Sequence, residues 1–124
     1  MIESVLTSVK KCLNGIPECD ESFDEDLKLF INSAFGTLYQ LGIGPEEGYS
    51  ISSKADKWSD FLEDQRLINM VKDYIVLYCK LNFCPPDSGF VMSYLQNQKT
   101  ELEWRLRVFG EQLIENEEGE SNVN

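Results

Sequence analysis

The chain has no histidine, and its 11 Lys and Arg are outnumbered by 22 Asp and Glu, for a formal charge of −11. Without an imidazole, a Ser or Cys nucleophile lacks its usual base, so the common acyl-transfer centres are excluded. A field this negative repels duplex DNA and anionic membranes, which disfavours a protein that grips either. No apolar run approaches the roughly 18 residues of a membrane span, and the opening MIESVLTSVKKCLNG has no basic region leading into an apolar one. The expectation is a soluble chain made in a cytoplasm. GxxxxGK[ST], GxGxxG and DxDxDG are also missing, so neither a nucleotide nor a calcium loop is indicated, and no cofactor is expected.

Four cysteines are present: Cys12, Cys19, Cys79 and Cys84. They can form two disulfides or give a metal four thiolates, but there is no CxxC pair, and the spacings fit common zinc frameworks poorly. Reduced thiols are the favoured reading, with no metal site. The acids invite a carboxylate mechanism at Glu46-Glu47 or Asp24 to Asp26. The first pair sits in a turn-like Gly-Pro-Glu-Glu-Gly, and the second run opens a helix, so both read as solvated acids. The chain is not expected to be an enzyme.

What is present is apolar residues at helical spacing. A length of 124 residues suits one core. Ile2, Val5, Leu6, Val9 and Leu13 share one helical face, which stops at Asn14-Gly15 with Pro17 behind it. Ser22-Phe23-Asp24-Glu25 has the pattern of a capping box. It opens a helix with the core stripe Leu27, Phe30, Ile31, Ala34, Leu38 and Leu41, and a second stripe of Leu29, Phe35 and Tyr39. Gly42, Gly44 and Pro45 end it. Asp60-Phe61-Leu62 suits one helical turn. Asp64 can cap a helix through Leu67, Val71, Tyr74, Tyr78 and Leu81, whose middle, YIVLYC, is apolar all round and belongs at the centre of a bundle or between subunits. Pro85-Pro86 breaks that helix, and Asp87 or Ser88 can cap a last one to about Phe109.

The last helix has the core stripe Val91, Leu95, Gln98, Leu102, Leu106 and Phe109, with Glu101 to Arg105 and Glu103 to Arg107 as i,i+4 ion pairs. Residues 110–124 hold five glutamates and no base, and read as an acidic, flexible tail dispensable for folding. The expected fold is therefore all-α. It is a small bundle of three to four main helices over residues 1–109, with a long connection between the second and third.

That connection, within QLGIGPEEGYSISSKADKWSDFL at residues 40–62, is unusual for a compact domain. It carries Tyr49, Ile51 and Trp58, which structureless linkers seldom contain. Trp58 reads either as a plug pinning the loop to its own bundle or as an intersubunit contact. Trp104 lies roughly 160° from Leu102 in helical projection, pointing away from the core stripe, with Val108 and Phe90 nearby in projection. An aromatic there favours a partner. Apolar surface on two flanks suits head-to-tail contacts, which close into rings.

Four stretches, FDEDLKLFINSAFGTLYQLGIGPEEGYSI, WSDFL, LINMVKDYIVLY and PPDSGFVMSYLQNQKTELEWRL, resemble in order and spacing the small phage head–tail connector proteins, over about residues 20–109. None is diagnostic alone. The four cysteines and the acidic tail depart from the family. The resemblance implies a mainly helical, non-enzymatic subunit of a homo-oligomeric ring, twelve-fold in the virion. It would dock on the portal protein, extend the DNA channel toward the tail, and meet a downstream tail or stopper protein. Such a protein resides at the head–tail junction of the virion, and in the host cytoplasm during assembly. The long connection would then be a subunit contact or channel-facing element, and DNA would pass without specific binding. The competing reading is a small acidic phage or bacterial protein that mimics DNA or inhibits a host factor.

Overall fold

A computed structural model describes residues 4–13, 21–62, 64–83 and 85–122, with side chains through residue 112. The fold is all-α. Five helices follow in order: α1 (Val5–Cys12), α2 (Asp24–Gln40), the single turn α3 (Trp58–Phe61), α4 (Gln65–Phe83) and α5 (Gly89–Asn122).

α4 is the axis. Its apolar centre needs partners on every side, and α1, α2 and α5 all pack against it. Leu67, Ile68, Val71, Tyr74, Ile75, Leu77 and Cys79 are all buried there. Facing them are Val5, Leu6 and Val9 of α1, and Leu27, Ile31, Ala34, Phe35 and Leu38 of α2. At its start, Asp64 accepts from the backbone N–H groups of Arg66 (3.0 Å) and Leu67 (3.4 Å), the cap its sequence announces.

Three local readings are corrected. α2 is capped at Phe23, not Ser22, and no side chain supplies the cap bond. Asp24, in the first turn, instead reaches across to α1, where Lys10 Nζ donates to its Oδ1 at 2.8 Å. Lys10 is buried, so this pair ties the end of α1 to the start of α2. The second correction concerns Glu103. Its carboxylate takes a 2.8 Å contact from Lys99 and a 3.1 Å hydrogen bond from the Tyr74 hydroxyl on α4. The expected Glu101 to Arg105 pair does form, at 2.6 Å.

The third correction is the length of α5, which continues past Phe109 to Asn122. Its 34 residues span about 51 Å, whereas the 19 of α4 span about 28 Å. α4 cannot cover the whole of α5, and the stripe read as core is only partly buried. Leu106 is fully buried, Leu95 and Leu102 partly, and Val91, Gln98 and Phe109 are exposed. The expected α1 residue Ile2 and the stop at Asn14-Gly15 lie outside the described residues, as do Cys19 and Cys84. Cys12 is exposed and Cys79 buried, both as free thiols.

Burial also sets a response to alkali. It pushes the Cys79 thiol up to about 12 from an ordinary 9.0. The Tyr49 hydroxyl is pushed up to about 12, by burial first and then by the charges of Asp56 and Asp60. Tyr74 is raised further, by burial and the neighbouring Glu103. In each case the folded chain holds its proton more tightly than the unfolded chain. Stability is therefore fully present below about pH 9 and falls as pH rises toward about 12. The urea midpoint should be flat between about pH 7 and 9 and decline beyond, with Tyr74→Phe softening the decline. A midpoint flat to about pH 11 would show that these groups titrate alike in the folded and unfolded chain.

Candidate assembly surfaces

The connection, residues 41–57, is fastened to the chain's own helices. Asn32 on α2 grips Ile51 from both sides: its Oδ1 accepts from the Ile51 N–H (2.7 Å), and its Nδ2 donates to the Ile51 carbonyl (3.0 Å). Lys28 Nζ donates to the Ser52 carbonyl at 3.1 Å. Asp56 Oδ2 accepts from the N–H groups of Ser52 (2.7 Å) and Ser53 (3.1 Å), and those two bonds hold its carboxyl below the usual range. The loop then reaches α1, where the Val5 N–H donates to the Asp56 carbonyl (3.0 Å) and Ser4 bridges Lys57. Gly42, Gly44 and Gly48 take the positive φ values that its turns need.

These bonds settle where three of the six expected interface residues lie. Trp58 is fully buried, its indole N–H donating to Ser8 Oγ at 3.0 Å, while the Ser8 hydroxyl donates to the Ser4 carbonyl. Of the two readings of Trp58, the intramolecular plug is the one the fold uses. Ile51 is buried in the same core. Tyr49 is half-buried, its ring edge-on to Phe35 at 5.0 Å and its hydroxyl donating to the Lys57 carbonyl. The connection therefore serves the monomer first, because the apolar residues that make it unusual are spent on α1 and α2.

The other three residues lie on α5. Phe90 is 84% exposed and Trp104 is 65% exposed, while Val108, one turn beyond Trp104, is half-buried. Fourteen residues separate the two aromatics, about 21 Å along the helix, so they mark two ends of one outward face rather than one cluster. Sequence reasoning missed Tyr94, which is 56% exposed beside Phe90, and placed Val91 in the core. The signal was the excess of α5 over the length of α4. On another helix, α2 exposes Leu29 and Tyr39, members of the stripe for which a second partner was expected.

Between α4 and α5 lies an open cleft of about 490 Å³ that the sequence did not reveal. Val76, Leu77, Leu95 and Leu102 form its apolar part, and Lys72, Lys80 and Arg105 bring positive charge to it. Among the described residues no cluster of carboxylates and thiols is arranged to hold a metal, and no helix is long and apolar enough to cross a membrane.

A family model described as phage connector protein matches residues 5–112, a span containing every core residue above. No curated protein and no solved structure matches the chain. The match takes in α1 through the buried part of α5, and on it the chain belongs to the phage connector protein family.

Proposed function

We propose that this connector is the ring-forming subunit that docks on the portal, extends the DNA channel toward the tail and receives a downstream tail or stopper protein, with twelve copies in the virion. Membership of a structural phage family supports a virion component and not an enzyme. The observation that carries the finer reading is the solvent-facing Trp104 on α5, set against a separate apolar face at Leu29 and Tyr39 on α2. Two different exposed surfaces, on two different helices, suit a heterologous contact, which generates a ring when its rotation closes. The charge of −11 suits a conduit through which DNA slides without being held.

Trp104→Ala is expected to leave the circular dichroism spectrum and melting temperature unchanged, since the indole packs mainly against solvent. Its assembly with the cognate portal, followed by light scattering and negative-stain microscopy, should weaken by about thirtyfold per contact, the effect of losing about 2 kcal/mol at an interface aromatic. Rings that form at parental concentrations would remove Trp104 from the interface. Compact particles that never form rings, with or without portal, would sink the connector assignment itself.

A further inference from the structure

Arg107 is left without the partner its spacing promises. Glu103, one turn before it, is taken by Lys99 at 2.8 Å and by the Tyr74 hydroxyl at 3.1 Å, and no other described carboxylate pairs with the guanidinium. Arg107 is exposed on α5 three residues after Trp104, so the indole and the unpaired cation share one helical face. The acid before them on that face, Glu101, is neutralised by Arg105 at 2.6 Å. Glu111, the next acid along it, stands about 10 Å past Trp104.

A complementary surface lies on α2 and the connection. Phe35, Gly36 and Tyr39, with Gly48 and Tyr49, line an open hollow of about 350 Å³, and Glu47 stands beside them. The floor at Phe35 is buried, and at Gly36 an added Cβ would meet nothing within 4 Å, so an incoming side chain has room there. Glu46 and Glu47 are exposed and, among the described residues, have no cation. The hollow thus offers aromatic walls and free negative charge.

Its own chain does not fill it. Leu106 is fully buried against the bundle, and Trp104 lies roughly 160° around the helix from it, turned away from the body that carries the hollow. A second copy can supply the indole. Two copies of charge −11 repel overall, so their contact is favoured where an unpaired base of one meets unpaired acids of the other. We infer that Trp104 of one copy enters the hollow between α2 and the connection of the next, with Arg107 facing Glu46 and Glu47 of that second copy. Tyr39 and Tyr49 then meet the indole edge-on or offset, the arrangement aromatic rings prefer. Each copy uses one surface to give and another to receive, so the contact propagates head to tail. The inference rests on the reading of Trp104 as an interface residue and names what it meets.

Directed cross-linking tests it. Two full-length chains are made with Cys12→Ser, Cys19→Ser and Cys84→Ser, one carrying Arg107→Cys and the other, tagged, Glu47→Cys. Mild oxidation of the mixture should give a heterodimer on a non-reducing gel well in excess of either homodimer. The yield should fall about tenfold or more when Trp104→Ala is added to the Arg107→Cys chain, or Gly36→Leu to the Glu47→Cys chain, as for loss of an interface anchor. Gly36→Leu in the Arg107→Cys chain should leave the yield unchanged, because that copy's hollow is not the one used. Should Gly36→Leu lower the melting temperature, Tyr39→Glu, at an exposed side chain, reports on the same acceptor. No excess of heterodimer, or a yield indifferent to these changes, overturns the inference. Portal-bound rings that Trp104→Ala weakens and Gly36→Leu and Tyr39→Glu do not would overturn this acceptor and leave the connector reading standing. The directed cross-link in a chain that never binds portal would support the contact and sink the connector reading.

Discussion

Trp58→Ala should destabilise the fold by about 3 to 5 kcal/mol, the range for truncating a large aromatic in a packed core. That is a large share of the roughly 5 to 15 kcal/mol that holds a domain of this kind together. The indole is fully buried and near Phe35, with ring centres 6.4 Å apart, in a cluster that also contains Phe61. Two losses add. The cavity cannot collapse easily, because Ile51 and Asp56 are fixed by hydrogen bonds to α2 and within the loop. Ser8 Oγ also loses the donor it receives at 3.0 Å. Trp58→Phe keeps most of the packing and loses only the donor, so it should cost about 1 to 2 kcal/mol. Urea denaturation followed by circular dichroism separates the two variants. A loss below about 1 kcal/mol for Trp58→Ala would mean that the connection is not held by its indole.

The second large effect is expected at Gly110, where a helix-favouring substitution should harm a helix. Exchanging Gly for Ala within an exposed helix ordinarily gains about 1 kcal/mol. At position 110, however, the new Cβ would run into the carbonyl oxygen of Leu41, with the Leu41 carbonyl carbon at 3.2 Å behind it. This obstacle is backbone, not the end of a pliable side chain. Leu41 is anchored at the end of α2 by N–H bonds to the Thr37 and Leu38 carbonyls, each at 3.1 Å. Either α5 lifts away from α2 or the α2 terminus unwinds, and overpacking of this kind costs typically about 1 to 3 kcal/mol, occasionally more. Gly110→Ala should therefore lose about 2 kcal/mol or more. Gly36→Ala, in α2 with nothing within 4 Å of the added carbon, should gain up to about 1 kcal/mol. Opposite signs from one chemical change form the test. A stabilising Gly110→Ala would show that α5 does not approach α2 so closely.

Much of this architecture was legible in the sequence because it follows from period. Val5, Leu6, Val9 and Leu13 were assigned to one face and are buried, as are Leu27, Ile31, Ala34 and Leu38. The all-round apolar run in α4 announced its central place, and Asp64 its beginning. What the period does not contain is the length of a neighbour. Val91 has the spacing of a core residue but lies exposed, since the register set by Tyr74 and Glu103 puts it beyond the end of α4; Phe109 is exposed as well. Capping signals were ambiguous for a similar reason: Ser22 and Asp24 both fit a helix start, and the buried Lys10 on another helix decided what Asp24 would do. Trp58 shows the limit most clearly. Its sequence neighbourhood allowed a plug or an interface, and the deciding partner, Ser8, is fifty residues away. Trp104 needed no such partner to be read, because its angle on its own helix already turned it outward.

The fifty residues between Ser8 and Trp58 also impose an order in time. At synthesis rates of roughly 5 to 20 residues per second, the residues of α1 are joined about 2 to 10 seconds before the indole they will enclose. An eight-residue helix is too short to persist alone in water, so the nascent α1 segment spends that interval largely as coil. Its coverage waits longer still, until α4 has left the ribosome, because Val5 and Val9 are buried only when that helix is beside them. Though made early, α1 thus waits for α4 before it can dock. A subunit released before its connection has closed would enter assembly with the N-terminal segment still loose.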